Sequence, residues 1–146
     1  MIGRVLVILL TFFSCVANAK FSPYMGYWSV NCGGFGGYVI VSDMSEARVN
    51  VNDNNLLISA KLSELTTNSS ELFFIDILES RNEKIDWPSI SLDKPIAKLT
   101  VNDGVLVVNW FGFFDMKKKE YVWNTQPDFI VDTKSNKNTI MKKCIF

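Results

Sequence analysis

The chain has 146 residues, with 15 lysines and arginines against 15 aspartates and glutamates, and no histidine. Without imidazole there is no Ser-His-Asp or Cys-His nucleophile system, no histidine-bound zinc and no histidine pH switch. The balanced charge excludes long-range attraction to nucleic acid or to an anionic membrane, which needs a large positive excess.

The first nineteen residues carry one charge, Arg4, then the apolar run Val5 to Phe13 and the small-polar-small ending Ala17-Asn18-Ala19. This is the pattern of a cleaved secretory signal peptide, with the mature chain expected to begin at Lys20. An uncleaved anchor would need about 20 apolar residues, more than this run supplies. A lipidated Cys15 would need small aliphatic residues before it, where Phe12-Phe13-Ser14 stand. The expected product is periplasmic or secreted, with no integral membrane span, and residues 20–146 are long enough for a single domain with a real core. That domain keeps Cys32 and Cys144, 112 residues apart. In an oxidising compartment they are expected to pair, stabilising the fold by about 4–5 kcal/mol.

The mature chain begins irregularly around Pro23 and becomes a strand at Tyr27. Gly26-Tyr27-Trp28 resembles the G-x-W signature on the first strand of lipocalins and their calycin relatives. The resemblance implies a lipocalin-like barrel that carries a small apolar ligand; the alternative reading is a tryptophan that plugs one end of any small barrel. The arginine that covers this tryptophan in the lipocalin pattern has no late counterpart, because the mature chain's arginines are Arg48 and Arg81.

Cys32-Gly33-Gly34-Phe35-Gly36-Gly37 follows, too glycine-rich for regular structure. A phosphate loop would continue Gly-Lys-Ser/Thr, whereas Tyr38-Val39-Ile40 comes next, so nucleotide binding is excluded. The segment is either a connection pinned by the disulfide or a contact loop presenting Phe35.

From Tyr38 the period is two. Tyr38 to Ser42 reads as a strand, followed by a turn and by Ala47, Val49 and Val51 alternating with Arg48, Asn50 and Asn52. After a loop at 52–55, Leu56, Ile58, Ala60 and Leu62 resume the apolar face. A four-residue loop sets Val51 opposite Leu56, Val49 opposite Ile58 and Ala47 opposite Ala60. The Asn50, Asn52, Asn54 spacing is not a calcium loop, since the twelfth position holds Lys61 instead of a bidentate glutamate. Ser63 to Ser70 is a polar turn region, with a glycosylation sequon at Asn68 should the source be eukaryotic. Glu71 to Glu79 is a strand that places Leu72, Phe74 and Leu78 on one face, interrupted by Asp76, and Phe73, Ile75 and Ile77 on the other. Both faces must then be covered.

Ser80 to Pro95 lacks periodicity and carries Trp87, which either lies back over the Phe73 face or serves as a contact; loops of this length are often functional. Ile96 to Asp115 is a hairpin around Asp103-Gly104, residues that tolerate the positive φ of a two-residue type I′ loop. That loop pairs Val101 with Leu106, Leu99 with Val108 and Ala97 with Trp110 on an apolar face. Asn102, Thr100 and Lys98 then oppose Val105, Val107 and Asn109 outside. A three-residue loop would mix the faces. Next, Phe113-Phe114-Asp115 turns through Met116-Lys117-Lys118-Lys119 and returns as Glu120 to Trp123. Phe129 to Asp132 and Thr139 to Cys144 complete the expected strands.

Short strands, frequent turn signals and no amphipathic helix predict an all-β fold, a small antiparallel β-barrel of 8–10 strands or a two-sheet sandwich, with one disulfide. The Cys32 to Cys144 bridge joins first and last strands and favours the barrel. The expected interior comprises Trp28, Val49, Val51, Leu56, Ile58, Ala60, Leu99, Val101, Leu106, Val108 and Trp110.

No catalytic constellation is found. The acids, Asp86, Asp115, Asp128 and Asp132 among them, are scattered mostly beside turns; Asp76 alone interrupts an apolar face, where it reads as a barrel-rim or hydrogen-bonded aspartate rather than a buried catalytic carboxylate, and no cofactor or metal is implied. A non-enzymatic binder is expected. The layout of signal peptide, early cysteine, about eight strands and late cysteine resembles, in architecture, small periplasmic lysozyme-inhibitor barrels. That implies an inhibitor or immunity protein whose partner is a hydrolase or toxin of the envelope. The serine-glycine and threonine-lysine-glycine loop motifs of that family are absent, so its inhibitory residues have no counterparts here. Expected contacts are Phe35, Trp87, Val105, Val107, Phe113, Phe114, Lys117, Lys118 and Lys119. The alternative is a lipocalin-like carrier with its ligand inside the barrel.

Overall fold

A computed structural model of the chain describes residues 22–43, 45–53, 55–81, 84–134 and 138–145. The expected signal peptide lies outside these residues. Among the described residues ten strands run β1 (Gly26–Ser29), β2 (Tyr38–Val41), β3 (Glu46–Asn52), β4 (Leu56–Thr66), β5 (Ser69–Ser80), β6 (Pro95–Asn102), β7 (Val105–Trp110), β8 (Phe113–Asp115), β9 (Glu120–Val122) and β10 (Asn138–Cys144). Eight of them close an antiparallel barrel in the order β1-β10-β7-β6-β5-β4-β3-β2, while β8 and β9 form a separate two-stranded sheet. The barrel is therefore an up-and-down meander, interrupted between β7 and β10 by the β8–β9 hairpin and a six-residue helix α1 (Asp128–Thr133). Closure leaves no strand of the meander at an end of the sheet, which removes a template for aggregation.

The 103–104 turn sets the register of the wall. Asp103 and Gly104 have φ of 48° and 78°, and β6 pairs with β7 as Ala97↔Trp110, Leu99↔Val108 and Val101↔Leu106 on the inner face. All the expected interior residues are buried except Val101, which is half-buried and packs against the core. The disulfide is present between Cys32 and Cys144, with Cα atoms 5.5 Å apart.

Three expectations are corrected. A bulge between Asn50 and Asn52 makes Asn52, not Val51, the partner of Leu56, although Val49↔Ile58 and Ala47↔Ala60 hold. On β5, register shifts against β4 fall at Ile75 and Leu78. Each bulge inserts an extra residue and exchanges the faces beyond it. Ile77 therefore reaches the core, Ile75 and Leu78 are exposed, and Asp76 lies in solvent rather than on an interior face. Lastly, residues 128–133 form α1 where a strand was expected; Pro127 at its N-cap and Asp128 in its first turn suit a helix start.

The two ends of the barrel differ. At the tight end the connections are 42–45, 67–68 and 103–104, and the chain enters through residues 22–25. Trp28 points into the barrel there and donates its indole N–H to the Tyr24 carbonyl at 2.7 Å. Lys143 on β10 holds its ammonium 5.6 Å from the Trp28 ring centroid. Gly26 makes room for it: φ is +131°, and a Cβ would fall 2.5 Å from Lys143 Cε. A lysine thus covers the G-x-W tryptophan.

Candidate functional site

At the opposite, loop end, the connections are 30–37, 53–55, 81–94 and 111–137. Three of these are far longer than closing a hairpin requires, and such loops commonly carry function. They rest on a solid aromatic floor. Phe113 meets Trp110, Phe74 and Trp87 edge-on with ring centroids 5.5, 5.7 and 5.3 Å away. Trp87 stacks on Phe74 at 5.6 Å, and Phe129 of α1 meets Trp110 at 5.7 Å. Trp110 donates its indole N–H to the Trp123 carbonyl at 2.8 Å. Trp123 takes φ +57°, a conformation that costs a bulky residue roughly 1–3 kcal/mol and must be held by its surroundings.

This floor redistributes the expected contact residues. Phe113, expected as a contact, is fully buried: on a two-stranded hairpin alternate side chains face opposite ways, and Phe113 with Val122 faces the barrel while Phe114 with Tyr121 faces out. Trp87 is half-buried in the same floor, against Phe74 rather than over Phe73, so it supports the loops instead of projecting from them. Phe114 lies half-exposed beside Tyr121, at 5.2 Å, with the Lys94 ammonium 5.7 Å from its ring. Val105 and Val107 are half-exposed on the outer wall, away from the loop end, where Val107 lies beside Ile140. The structure therefore brings Phe35, Phe114 and the lysine turn to one end of the barrel and leaves the two valines apart.

The lysine turn is built from Asp115. Its buried carboxylate accepts the backbone N–H groups of Lys117 and Lys118 at 2.9 and 3.0 Å, and Lys119 completes the turn with φ +58°. Lys117 Nζ lies 2.6 Å from Asp86 Oδ2. Lys117 and the Ser89 hydroxyl hold the Asp86 carboxyl below its usual range, and Asp86 raises the Lys117 amine. A cleft of about 330 Å³ lies between this turn and the 84–86 segment, lined by Lys84, Asp86, Lys118, Trp123 and Gln126 among others. Its two charge signs offset one another, so it has no marked preference for an anion or a cation.

The loop at 30–37 is fastened on both legs. Cys32 is tied to β10, and Ser29 Oγ donates to the Gly37 carbonyl at 3.1 Å. Gly36 N–H donates to Asp53 Oδ2 at 3.0 Å, whose Oδ1 accepts from Asn50 Nδ2 at 2.9 Å. Gly37 sits so closely on its neighbours that a Cβ would fall 2.8 Å from the Asn50 carbonyl oxygen and 2.9 Å from the Phe129 ring. Phe35 at the tip is 82% exposed. Asp53, Asp128 and Trp123 are the residues of this end that sequence reasoning passed over. The Pro127-Asp128 pair was the available signal, since it marks a helix start; nothing local marks Asp53 or Trp123.

Among the described residues no group of three or more metal-binding side chains of the His, Cys, Asp and Glu types comes together. No family model, curated protein or solved structure matches the chain.

Proposed function

We propose that the chain is an exported, non-enzymatic binding protein, an inhibitor or immunity protein that engages a hydrolase or toxin of the cell envelope with its loop end. The observation that carries this reading is Phe35, 82% exposed at the tip of a loop fastened on both legs. A large aromatic side chain held in water has no folding benefit, but it is the residue type that dominates binding energy when it enters a partner's pocket. Fastening the loop beforehand lowers the ordering cost of association. The exposed lysine turn at the same end adds charge that steers encounter more than it adds affinity.

The carrier alternative needs space inside the barrel. Leu106, Phe113, Phe129 and Met141 are completely inaccessible, and Trp28 and Trp110 are 1% exposed, which supports the binder over the carrier. Cross-linking the mature protein in envelope extracts of its source, followed by mass analysis, tests the proposal. The expected result is a stable protein adduct that Phe35→Ala weakens by about 30-fold or more in Kd, the equivalent of losing a hot spot of about 2 kcal/mol. Recovery of no adduct, or of one indifferent to Phe35, sinks it.

A further inference from the structure

We infer that Asp53 is the positioning residue of the Phe35 loop, and that through it the loop and helix α1 form one preorganised contact surface for a protein with an apolar pocket wide enough for a phenyl ring. The inference rests on the protein-binding reading and says how the surface is assembled.

The segment from Cys32 to Gly37 has four glycines. Left to itself such a segment samples many conformations and would have to be ordered on binding, at the expense of affinity. A chain of hydrogen bonds prevents this. The residue following Phe35 donates its backbone N–H to Asp53 Oδ2 at 3.0 Å. Asp53 donates its own backbone N–H to Asp128 Oδ2 at 2.7 Å, and Asn52 Nδ2 donates to Asp128 Oδ1 at 2.6 Å and to the Gln126 carbonyl at 3.0 Å. Asp53 therefore uses its side chain on the glycine loop and its main chain on α1. Bonds from backbone N–H to carboxylate are charge-assisted and directional.

The helix contributes to the same surface. Phe129 packs downward on Trp110 and against Gly37. Two positions on, about 200° around an α-helix, Val131 points away from that floor and is 58% exposed. Phe35 and Val131 are thus exposed apolar side chains on two elements that Asp53 and Asp128 join. The carboxylates are satisfied by the protein's own donors, which suits them to hold the surface rather than to do chemistry.

The test uses the full mature chain. Amide hydrogen exchange at Gly36 is compared in the parent, Asp53→Ala and Asp53→Asn, with the unfolding midpoint measured alongside. Asp53→Ala should speed exchange at Gly36 at least tenfold while the midpoint moves little. Asp53→Asn should recover part of the protection, since its amide oxygen still accepts. Unchanged exchange in Asp53→Ala overturns the positioning role whatever the protein binds. Should Asp53→Ala not fold, Asp128→Asn loosens the far end of the same chain, and faster Gly36 exchange there supports the role while unchanged exchange overturns it. For the shared surface, a photoreactive benzophenone side chain is placed at position 35 and, separately, at 131. The same adduct from both positions, reduced about tenfold by Asp53→Ala, supports it; adducts that differ, or an adduct at neither position, overturn it. If exchange responds as expected but Phe35→Ala leaves the adduct unaffected, the protein-binding reading fails and the latch stands as a feature of folding alone.

Discussion

Trp28 and Trp110 do matched work at opposite ends of the barrel. Each is buried, and each donates its indole N–H to the backbone carbonyl of the segment that closes its end, Trp28 to Tyr24 and Trp110 to Trp123. A buried indole N–H needs such a partner. The surroundings then diverge. At the tight end the closing segment is 22–25, Lys143 covers Trp28, and the turns between strands have two to four residues. Its Tyr24 phenol is pushed up by burial, an effect the neighbouring Ser70 hydroxyl opposes and Glu64 reinforces. At the loop end Trp110 lies under Phe113 and Phe129, and 27 residues, 111–137, separate it from the next barrel strand. One end is closed by short turns, and three of the four connections at the other carry more chain than closure needs. The excess is where a binding function has room.

The largest effects test the shared part of this comparison. Trp28→Ala and Trp110→Ala should each cost about 3–5 kcal/mol in chemical denaturation, a large share of the 5–15 kcal/mol typical of a domain. Two similar losses fit two structural plugs. A Trp110→Ala variant that stays within about 1 kcal/mol of the parent would show that the aromatic floor can collapse around the gap.

The disulfide separates the ends differently. It lies on the outer wall, joining the loop-end connection after β1 to the last barrel strand. Replacing Cys32 and Cys144 together by Ser should cost about 2–5 kcal/mol, and proteolysis should first cut within 33–37. If cleavage instead begins at the 42–45 turn of the tight end, the bridge serves the whole barrel and not the Phe35 loop.

The barrel was legible in the sequence because a period of two with one buried face leaves a single register. The 96–110 hairpin follows from Asp103-Gly104 and from the location of its valines and leucines. The outcome was worse wherever an extra residue enters a strand. The bulges at Val51, Ile75 and Leu78 have no distinctive letters, since their cost is repaid by contacts from other strands. Period alone does not decide Phe113-Phe114, where either phenylalanine could face in and only the depth of the floor chooses. Phe35 was legible as a candidate because four glycines isolate it. Its fastening was not, because Asp53 and Asp128 are brought together by the path of the chain, 75 residues apart.

The outer wall offers a smaller test. Val107 stands between Thr100 and Ile140, half-exposed, and remote from both plugs. Val107→Lys should move stability by no more than about 0.5 kcal/mol. A lost adduct in this variant with folding intact would shift the binding surface from the loop end to the wall, and an unfolded variant would make that wall part of the core.

The smallest effect belongs to the lysine turn. The Lys117–Asp86 pair is short but open to water, with side chains 74% and 47% accessible, and exposed pairs of this kind are screened by salt and contribute little. The Asp86 carboxyl is lowered by Lys117 and Ser89. Its contribution is therefore present above the ordinary carboxylate range and is lost as pH falls through the depressed folded value. Lys117→Ala should move the Asp86 titration, followed by carboxyl carbon NMR, up toward its usual range, with Ser89 retaining part of the depression. The denaturation midpoint at neutral pH should not change measurably. A clear fall in that midpoint would mean that the pair clamps the turn against the 84–86 segment, and the lysine turn would then belong with the fastened Phe35 loop as a second preorganised contact.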